Sequence, residues 1–396
     1  MDTARPPSAR RVVLLMTLGH AINDLYANAL TPILPVLIEQ FGLSMTQAGL
    51  VTTLRMLSGQ VSQPLYGLLG DRLGRRWLLG LGPLLTVTLM GFSGWAPTYG
   101  VLILCVVLAG VGSASFHPQG AAVAGQASGR RHGLGMGIFL AGGIVGVAIA
   151  PWVVVPLVSR YGLRATLFAA APGILVGAYL WRQERDLPQV RAAARRAWRL
   201  DLGGSAGPLA LLLAIAVFRT VMESSMITFL PVLMRQRGFS LMGAGAVLSL
   251  FLLCIGVASV LGGYLGDRWD PRRVIGVSLV LGIPFLQWSL RAEGLGMVLL
   301  WIGSGVLFLC SASVNVALAQ RLAPGHEGVA SSIMSGLGLG LGSVGATLAG
   351  RLADSIGLVP AFWWLSWLPL LPAALAFLLP PMPRAPVEAA AGEAQG

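Results

Sequence analysis

The sequence predicts an all-α membrane protein with twelve transmembrane helices in two pseudo-symmetric six-helix bundles. Three observations predict this. Only 11% of the 396 residues are charged while 55% are hydrophobic, and the mean hydropathy is +0.77. A soluble domain carries about 25% charged residues, so this chain cannot cover a water-facing surface of its size, and soluble enzyme folds are excluded. The apolar residues also gather in blocks of about 20, the length a bilayer-spanning helix needs. Finally, the second half of the chain repeats features of the first at a fixed offset of 196 residues.

The apolar segments run approximately over 12–38, 47–69, 77–95, 98–118, 133–155, 163–181, 208–234, 240–265, 274–290, 295–319, 329–350 and 358–380. Helix is the expected state for each, because a lone helix satisfies its own backbone hydrogen bonds inside lipid. Residues 1–181 then form an N-terminal bundle and 208–380 a C-terminal bundle. Residues 182–207 join them as a polar, Arg-rich cytoplasmic linker, and 381–396 form a short Pro- and Ala-rich disordered tail. The N-terminal Arg5, Arg10 and Arg11 followed by Val12–Leu18 imitate a signal peptide. However, the polar stretch His20–Asp24 interrupts the apolar core such a peptide needs. Cys105, Cys254 and Cys310 all fall inside apolar runs without CxxC spacing, so neither a disulfide framework nor a metal site is expected.

The formal net charge is +12 and the pI about 11.0. In a soluble protein that would point to nucleic acid. Here all 27 basic residues are Arg, and most sit in short loops. With the N-terminus inside, 19 Arg fall on the inner side and 6 on the outer, while Arg55 and Arg219 lie within helices. This asymmetry places both termini in the cytoplasm of a multi-pass inner-membrane protein, with the lipid bilayer as its partner and no nucleic acid.

The internal repeat carries the strongest motif. Gly67-Leu68-Leu69-Gly70-Asp71-Arg72 recurs as Gly263-Tyr264-Leu265-Gly266-Asp267-Arg268, each between the second and third helix of its half. In the first copy Gly74, Arg75 and Arg76 follow; in the second, Asp270-Pro271 replaces the glycine. The glycines allow a tight turn and close packing. Asp71 can cap the next helix or pair with an Arg, a contact that would hold one conformational state. The pattern closely resembles the loop motif of the major facilitator superfamily, and parallel repeats of six-helix units are the mark of that architecture.

Charged and polar groups inside the apolar segments are the candidate site. His20, Asn23, Asp24 and Asn28 share one face of the first helix. A carboxylate at membrane depth is costly and should face a wet cavity or a partner, so Asp24 is the expected proton-titrating group with His20 one turn away. A purely structural hydrogen-bond cluster is the alternative. Arg55 has no acid at i±4 and needs a partner elsewhere, either Asp24 or an anionic ligand. Arg219 and Glu223 lie one turn apart on the seventh helix. They could serve substrate and proton, or simply neutralise each other. The fourth helix is expected to end at Pro118, which would free backbone carbonyls near His117. His117 could then bind substrate or relay protons, or be a structural histidine. Asn315 on the tenth helix follows a similar Ser-Ala-Ser triplet. Gly142-x-x-x-Gly146 and Gly338-x-x-x-Gly342 offer small helix faces, over which the two halves could rock.

Several further segments resemble one branch of that superfamily, the fosmidomycin-resistance-protein type. They are His20-Ala21-Ile22-Asn23-Asp24-Leu25, Gln63-Pro64, Phe116-His117-Pro118, Arg131-His132-Gly133 and Ala319-Gln320-Arg321-Leu322-Ala323-Pro324-Gly325. The resemblance covers residues 12 to 380 and implies a monomeric, proton-coupled efflux pump working by alternating access. Its substrate would be a small anionic or amphipathic compound, such as a phosphonate antibiotic anchored by Arg55 or Arg219. No P-loop occurs, so no nucleotide cofactor is expected and the energy would come from the proton gradient. Proton-symport uptake of a small metabolite uses the same acid equally well. A membrane enzyme or a non-transporting sensor is the remote alternative, since no HExxH is present.

Overall fold

The computed structural model describes residues 8–73, 76–183, 205–324 and 326–380, excluding the side chains at 67, 68, 70–73, 76, 77, 130 and 328. All regular structure among the described residues is helical. Eleven helices are long and apolar enough to span a bilayer: α1 (Ala9–Phe41), α3 (Leu78–Trp95), α4 (Tyr99–Ser128), α5 (His132–Tyr161), α6 (Leu163–Gln183), α7 (Ala206–Gln236), α8 (Leu241–Arg268), α9 (Pro271–Arg291), α10 (Gly294–Leu322), α11 (Val329–Ile356) and α12 (Leu358–Phe377). The twelfth, α2 (Met45–Leu73), has the length at 29 residues. It is the more polar one, carrying Gln47, Arg55, Gln60 and Gln63.

The helix ends lie within a few residues of the expected segments, with one clear exception. α4 does not stop at Pro118 but runs on to Ser128. Proline removes one backbone donor and crowds the preceding turn. The residues that follow, Gln119, Gly120, Val123 and Ala124, are all buried, and their packing outweighs that local cost. α1 shows the opposite behaviour. Its first α-helical stretch closes at Ala27, a 3₁₀ turn covers Thr31–Ile33, and the helix resumes at Leu34. Pro32 and Pro35 sit at N-terminal positions of the two resumed turns, where a missing N–H is harmless. α11 carries a π-helical turn over Ile333–Leu337.

Two compact units divide the chain. Unit 1 comprises Met1–Arg199, Thr220–Leu253 and Leu339–Phe362; unit 2 comprises Leu200–Arg219, Cys254–Gly338 and Trp363–Gly396. The expected linker over 182–207 and tail over 381–396 fall almost entirely outside the described residues.

Within unit 1, α1, α3, α4, α5 and α6 converge on an apolar cluster that includes Val12, Met16, Leu79, Phe116, Phe139 and Leu180. The glycines of α5 permit this. A Cβ at Gly142 would meet the Thr17 carbonyl oxygen at 2.7 Å, and one at Gly146 would collide with the Ala21 backbone. That face is therefore committed to packing on α1 within the same half, not left as a sliding surface. Gly345 of α11 likewise packs on Val221 of α7.

The end of unit 1 that the Arg distribution assigns to the outside is closely packed. A Cβ at Gly49 of α2 would collide with Ala346 of α11, and one at Gly350 with the Met45 carbonyl. Thr53 Oγ1 donates to the Ser343 carbonyl at 2.7 Å and accepts from Thr347 Oγ1 at 2.9 Å. Asp354 of α11 accepts from Met45 N, Thr46 N and Thr46 Oγ1 at 2.7, 2.9 and 2.6 Å, so it caps α2 from across the contact. Ser249 of α8 donates to the Ala148 carbonyl of α5 at 2.7 Å.

In unit 2, Gly282 of α9 lets Phe308 of α10 approach, and Gly276 does the same for Phe377. The second motif copy lies here. Arg321 Nη2 donates to Asp267 Oδ1 at 3.4 Å, and Arg268 stacks 4.2 Å from the Tyr264 ring centroid. Asp270 is the N-cap of α9 and Pro271 its first residue. The Asp-Pro pair that replaces the glycine therefore starts a helix. Of the first copy, Gly74 and Arg75 lie outside the described residues, and only the helical backbone of Gly67, Asp71, Arg72 and Arg76 is described.

Candidate functional site

The first-helix cluster holds together as a unit and gains a member from α4. His20 Nε2 lies 3.2 Å from Asp24 Oδ2, one helical turn away. His117 Nε2 approaches the other carboxylate oxygen, Oδ1, at 3.4 Å. Asn23 Nδ2 donates to Ser113 Oγ at 2.8 Å and to Asp24 Oδ1 at 3.1 Å, and it stands 3.4 Å from His117 Nε2. One carboxylate is thus shared between two imidazoles, with an amide and a hydroxyl beside them.

The surroundings set each ring. His20 stacks on Phe139, ring centroids 4.4 Å apart at 21°, and meets His117 edge-on at 5.1 Å and 82°. Its Nδ1 donates to the Phe139 carbonyl at 2.8 Å. A carbonyl only accepts, so Nδ1 carries the hydrogen. When Nε2 also donates to Asp24, the ring holds two protons and is an imidazolium; when Nε2 is bare, it presents a lone pair. His117 Nε2 is similarly ambivalent. It can donate to Asp24 or accept from Asn23 and Ser113, the latter at 3.5 Å. The two rings thus offer alternative donor and acceptor roles around one carboxylate.

The cluster is deep but not sealed. His20 is 6% exposed and Asn23 fully buried, whereas 18% of the Asp24 side chain and 26% of that of His117 remain accessible. Part of the Asp24 and His117 side chains is thus within reach of water. The close approach of α5 to the cluster depends on Gly143, whose Cβ would stand 2.6 Å from His20 Nε2 and 2.8 Å from Asp24 Oδ2. The sequence reading did not find Gly143, Phe139 or Ser113 as site residues. Ser113 had a signal, since it sits one turn before His117 on the same helix; the other two had none.

Arg55 hydrogen-bonds an amide of α1 rather than the Asp24 carboxylate. Its Nη2 donates to Asn28 Oδ1 at 3.0 Å. Asn28 is the C-cap of the first stretch of α1, and its Nδ2 returns a hydrogen bond to the Asp24 carbonyl at 2.9 Å. Asn28 thus ties the Arg55 guanidinium to the helix turn that carries Asp24. A cavity of ≈ 10 Å³, room for about one water, lies beside Arg55, between Thr31, Val51 and Met90 among others.

The remaining candidates lie apart from the cluster in the chain. Glu223 is half-buried on α7 within unit 1. Arg219 (7% exposed) and Asn315 (2%) belong to unit 2, where Asn315 Nδ2 donates to the Leu212 carbonyl at 3.1 Å. As for metals, the donor atoms of His20, Asp24 and His117 lie within 4.8 Å of one another, close enough to hold one ion.

The Major Facilitator Superfamily model matches residues 16–247 and 211–395. The fosmidomycin resistance protein of Escherichia coli (strain K12) is 29% identical over 390 residues, covering 95% of each chain. YfnC of Bacillus subtilis (strain 168), described as an uncharacterized MFS-type transporter, is 32% identical over 399 residues, covering 96% of this chain and 95% of its own. In fold, the chain superposes on a bacterial homolog of the human lysosomal transporter Spinster, in an inward-facing and occupied conformation. The TM-score is 0.82 at 19% identity, over 94% of this chain and 97% of that one. For a D-xylose–proton symporter the TM-score is 0.77 at 15% identity, over 96% and 99%. Twelve helices in two six-helix halves, a repeated loop motif and a match along nearly the whole length agree: the chain is a multi-pass membrane transporter, not an enzyme, and belongs to the Major Facilitator Superfamily.

Proposed function

We propose that this transporter exports a small anionic or amphipathic compound in exchange for protons. The observation that carries the reading is the carboxylate of Asp24 shared between His20 and His117. A charge at membrane depth costs about 2.5–3.5 kcal/mol even on the more lenient scales. A cluster that can hold one proton more or fewer changes its charge state at that depth, so it can couple a conformational preference to the proton gradient. His20, with both ring nitrogens facing acceptors, stores the proton, and Asp24 supplies the countercharge. Arg55, tethered by Asn28 near the same helix turn, supplies the positive charge for an anionic substrate. Glu223, half-buried on α7 of the same unit, is a further candidate for carrying the proton. Loop 67–76 gates the cytoplasmic side. The relative named for fosmidomycin resistance makes an anionic phosphonate the first substrate to try.

The test is efflux from proteoliposomes with and without an imposed pH gradient, fosmidomycin being the first solute. Flux should collapse with the gradient, and Asp24→Asn should abolish gradient-driven flux in a protein that still folds. Wild-type flux by that variant, or flux indifferent to the gradient, overturns the reading.

A further inference from the structure

We propose that His20, Asp24 and His117 form a binding site for a divalent transition-metal ion of the zinc and cobalt class. The inference uses the side chains of the proton cluster but does not rest on their coupling role or on the identity of the organic substrate.

Geometry is the first support. Zinc is held by His nitrogen and carboxylate oxygen at about 2.0–2.2 Å in tetrahedral sites, which places neighbouring donors about 3.3–3.5 Å apart. His20 Nε2 stands 3.2 Å from Asp24 Oδ2 and His117 Nε2 3.4 Å from Asp24 Oδ1, and one ligand atom from each of the three residues lies within 4.8 Å of the others. These separations also suit a shared proton, so an ion and a proton compete for the same space. The donor set of two imidazoles and one carboxylate selects borderline ions such as Zn²⁺ or Co²⁺ over Mg²⁺ and Ca²⁺, which prefer oxygen ligands.

The outer contacts are a second, independent support. Metal-bound histidines characteristically donate their other ring N–H to a carbonyl or carboxylate, which fixes the tautomer and ring orientation. His20 does so: Nδ1 donates to the Phe139 carbonyl at 2.8 Å, which leaves Nε2 free to coordinate. Ring stacking on Phe139 holds the plane of the imidazole. Asn23, 0% exposed, has an amide oxygen without a hydrogen-bond partner among the described residues, while its Nδ2 faces Asp24 and His117. A half-turn of that amide brings the oxygen toward the ion as a further donor. Three protein ligands leave a fourth position for water, the open arrangement that distinguishes such sites from closed structural ones. Arg55 nearby opposes a second positive charge and keeps the affinity moderate.

The test is equilibrium titration of purified, detergent-solubilised protein, prepared without a polyhistidine tag, with ZnCl₂ and CoCl₂. Saturable binding of one ion per chain is expected, resistant to excess Mg²⁺, with Co²⁺ giving the visible spectrum of a low-coordinate nitrogen–oxygen site. His20→Gln and His117→Gln should each weaken binding by at least about 10-fold. The remote His132→Ala and His326→Ala should leave it unchanged. The spectrum of the unmodified protein needs no variant to fold. No saturable binding, displacement by Mg²⁺, an octahedral aqua-ion spectrum, or binding unaffected by either glutamine substitution overturns the proposal. Because no pH gradient is imposed, failure here leaves proton-driven efflux standing, and gradient-independent efflux leaves the metal site standing.

Discussion

Asp354 is the sharpest place to perturb the packed end of unit 1 where α2 meets α11. Its carboxylate receives three hydrogen bonds from the first turn of α2, at 2.7, 2.9 and 2.6 Å. Two come from backbone N–H groups that no intrahelical carbonyl can serve. Hydrogen bonds to a charged group contribute about 1.5–3 kcal/mol each, but Asp354 is exposed, and water would replace much of what is lost. Removing an N-cap from a helix costs about 0.5–2 kcal/mol. A net loss of about 1–2 kcal/mol follows for Asp354→Ala, a shift of roughly 5- to 30-fold in any equilibrium that parts α2 from α11. Asp354→Asn keeps one acceptor oxygen and should fall between. The assay is labelling of Val51→Cys, a 3% exposed position on α2, by a membrane-impermeant maleimide in a chain whose Cys105, Cys254 and Cys310 are replaced. Labelling should quicken by that factor in Asp354→Ala. An unchanged rate would refute the reasoning, because the cap would then contribute nothing to keeping this end shut.

Two further outcomes can be checked. Gly143→Ala places a methyl 2.6 Å from His20 Nε2 and 2.8 Å from Asp24 Oδ2. It should cost about 1–3 kcal/mol by overpacking and remove gradient-driven flux, read as a modest fall in melting temperature with a large fall in transport. The Arg272 guanidinium, hydrogen-bonded to Asp270, holds that carboxyl below its ordinary value of 3.8. A depressed native value means its contribution is full above about pH 4 and is lost as pH falls through the lowered value. Asp270→Ala should therefore lower stability by about 1 kcal/mol at pH 7, with the difference from wild type shrinking toward pH 3 in thermal melts.

Much of the fold is legible from local rules. A span in lipid must hydrogen-bond itself, so length and apolarity mark each helix. Pro118 shows the limit of such rules. A proline says that a turn is costly, but whether the helix continues depends on what the next turns bury, and Val123 and Ala124 bury fully. Within the site, His20 and Asp24 are readable as a pair because helical spacing fixes i and i+4 without any tertiary knowledge. His117 is not: Asn23 and His117 stand 94 positions apart in the chain, and only the packing of α1 on α4 makes them neighbours.

The sequence by itself determined the membrane class, the helix count, the repeat and the side chains too polar for their depth. These follow from the solvent, which punishes an unpaired backbone group or charge wherever the chain places it. Only the tertiary structure decided which partners those side chains found. It gave Asp24 a second imidazole, turned Arg55 to Asn28, and made Gly143 the clearance that His20 needs. It also committed Asp354 to capping a helix at the far end of the sequence. Each of these is a contact between different helices, set by shape and close approach, and neither periodicity nor composition encodes such contacts.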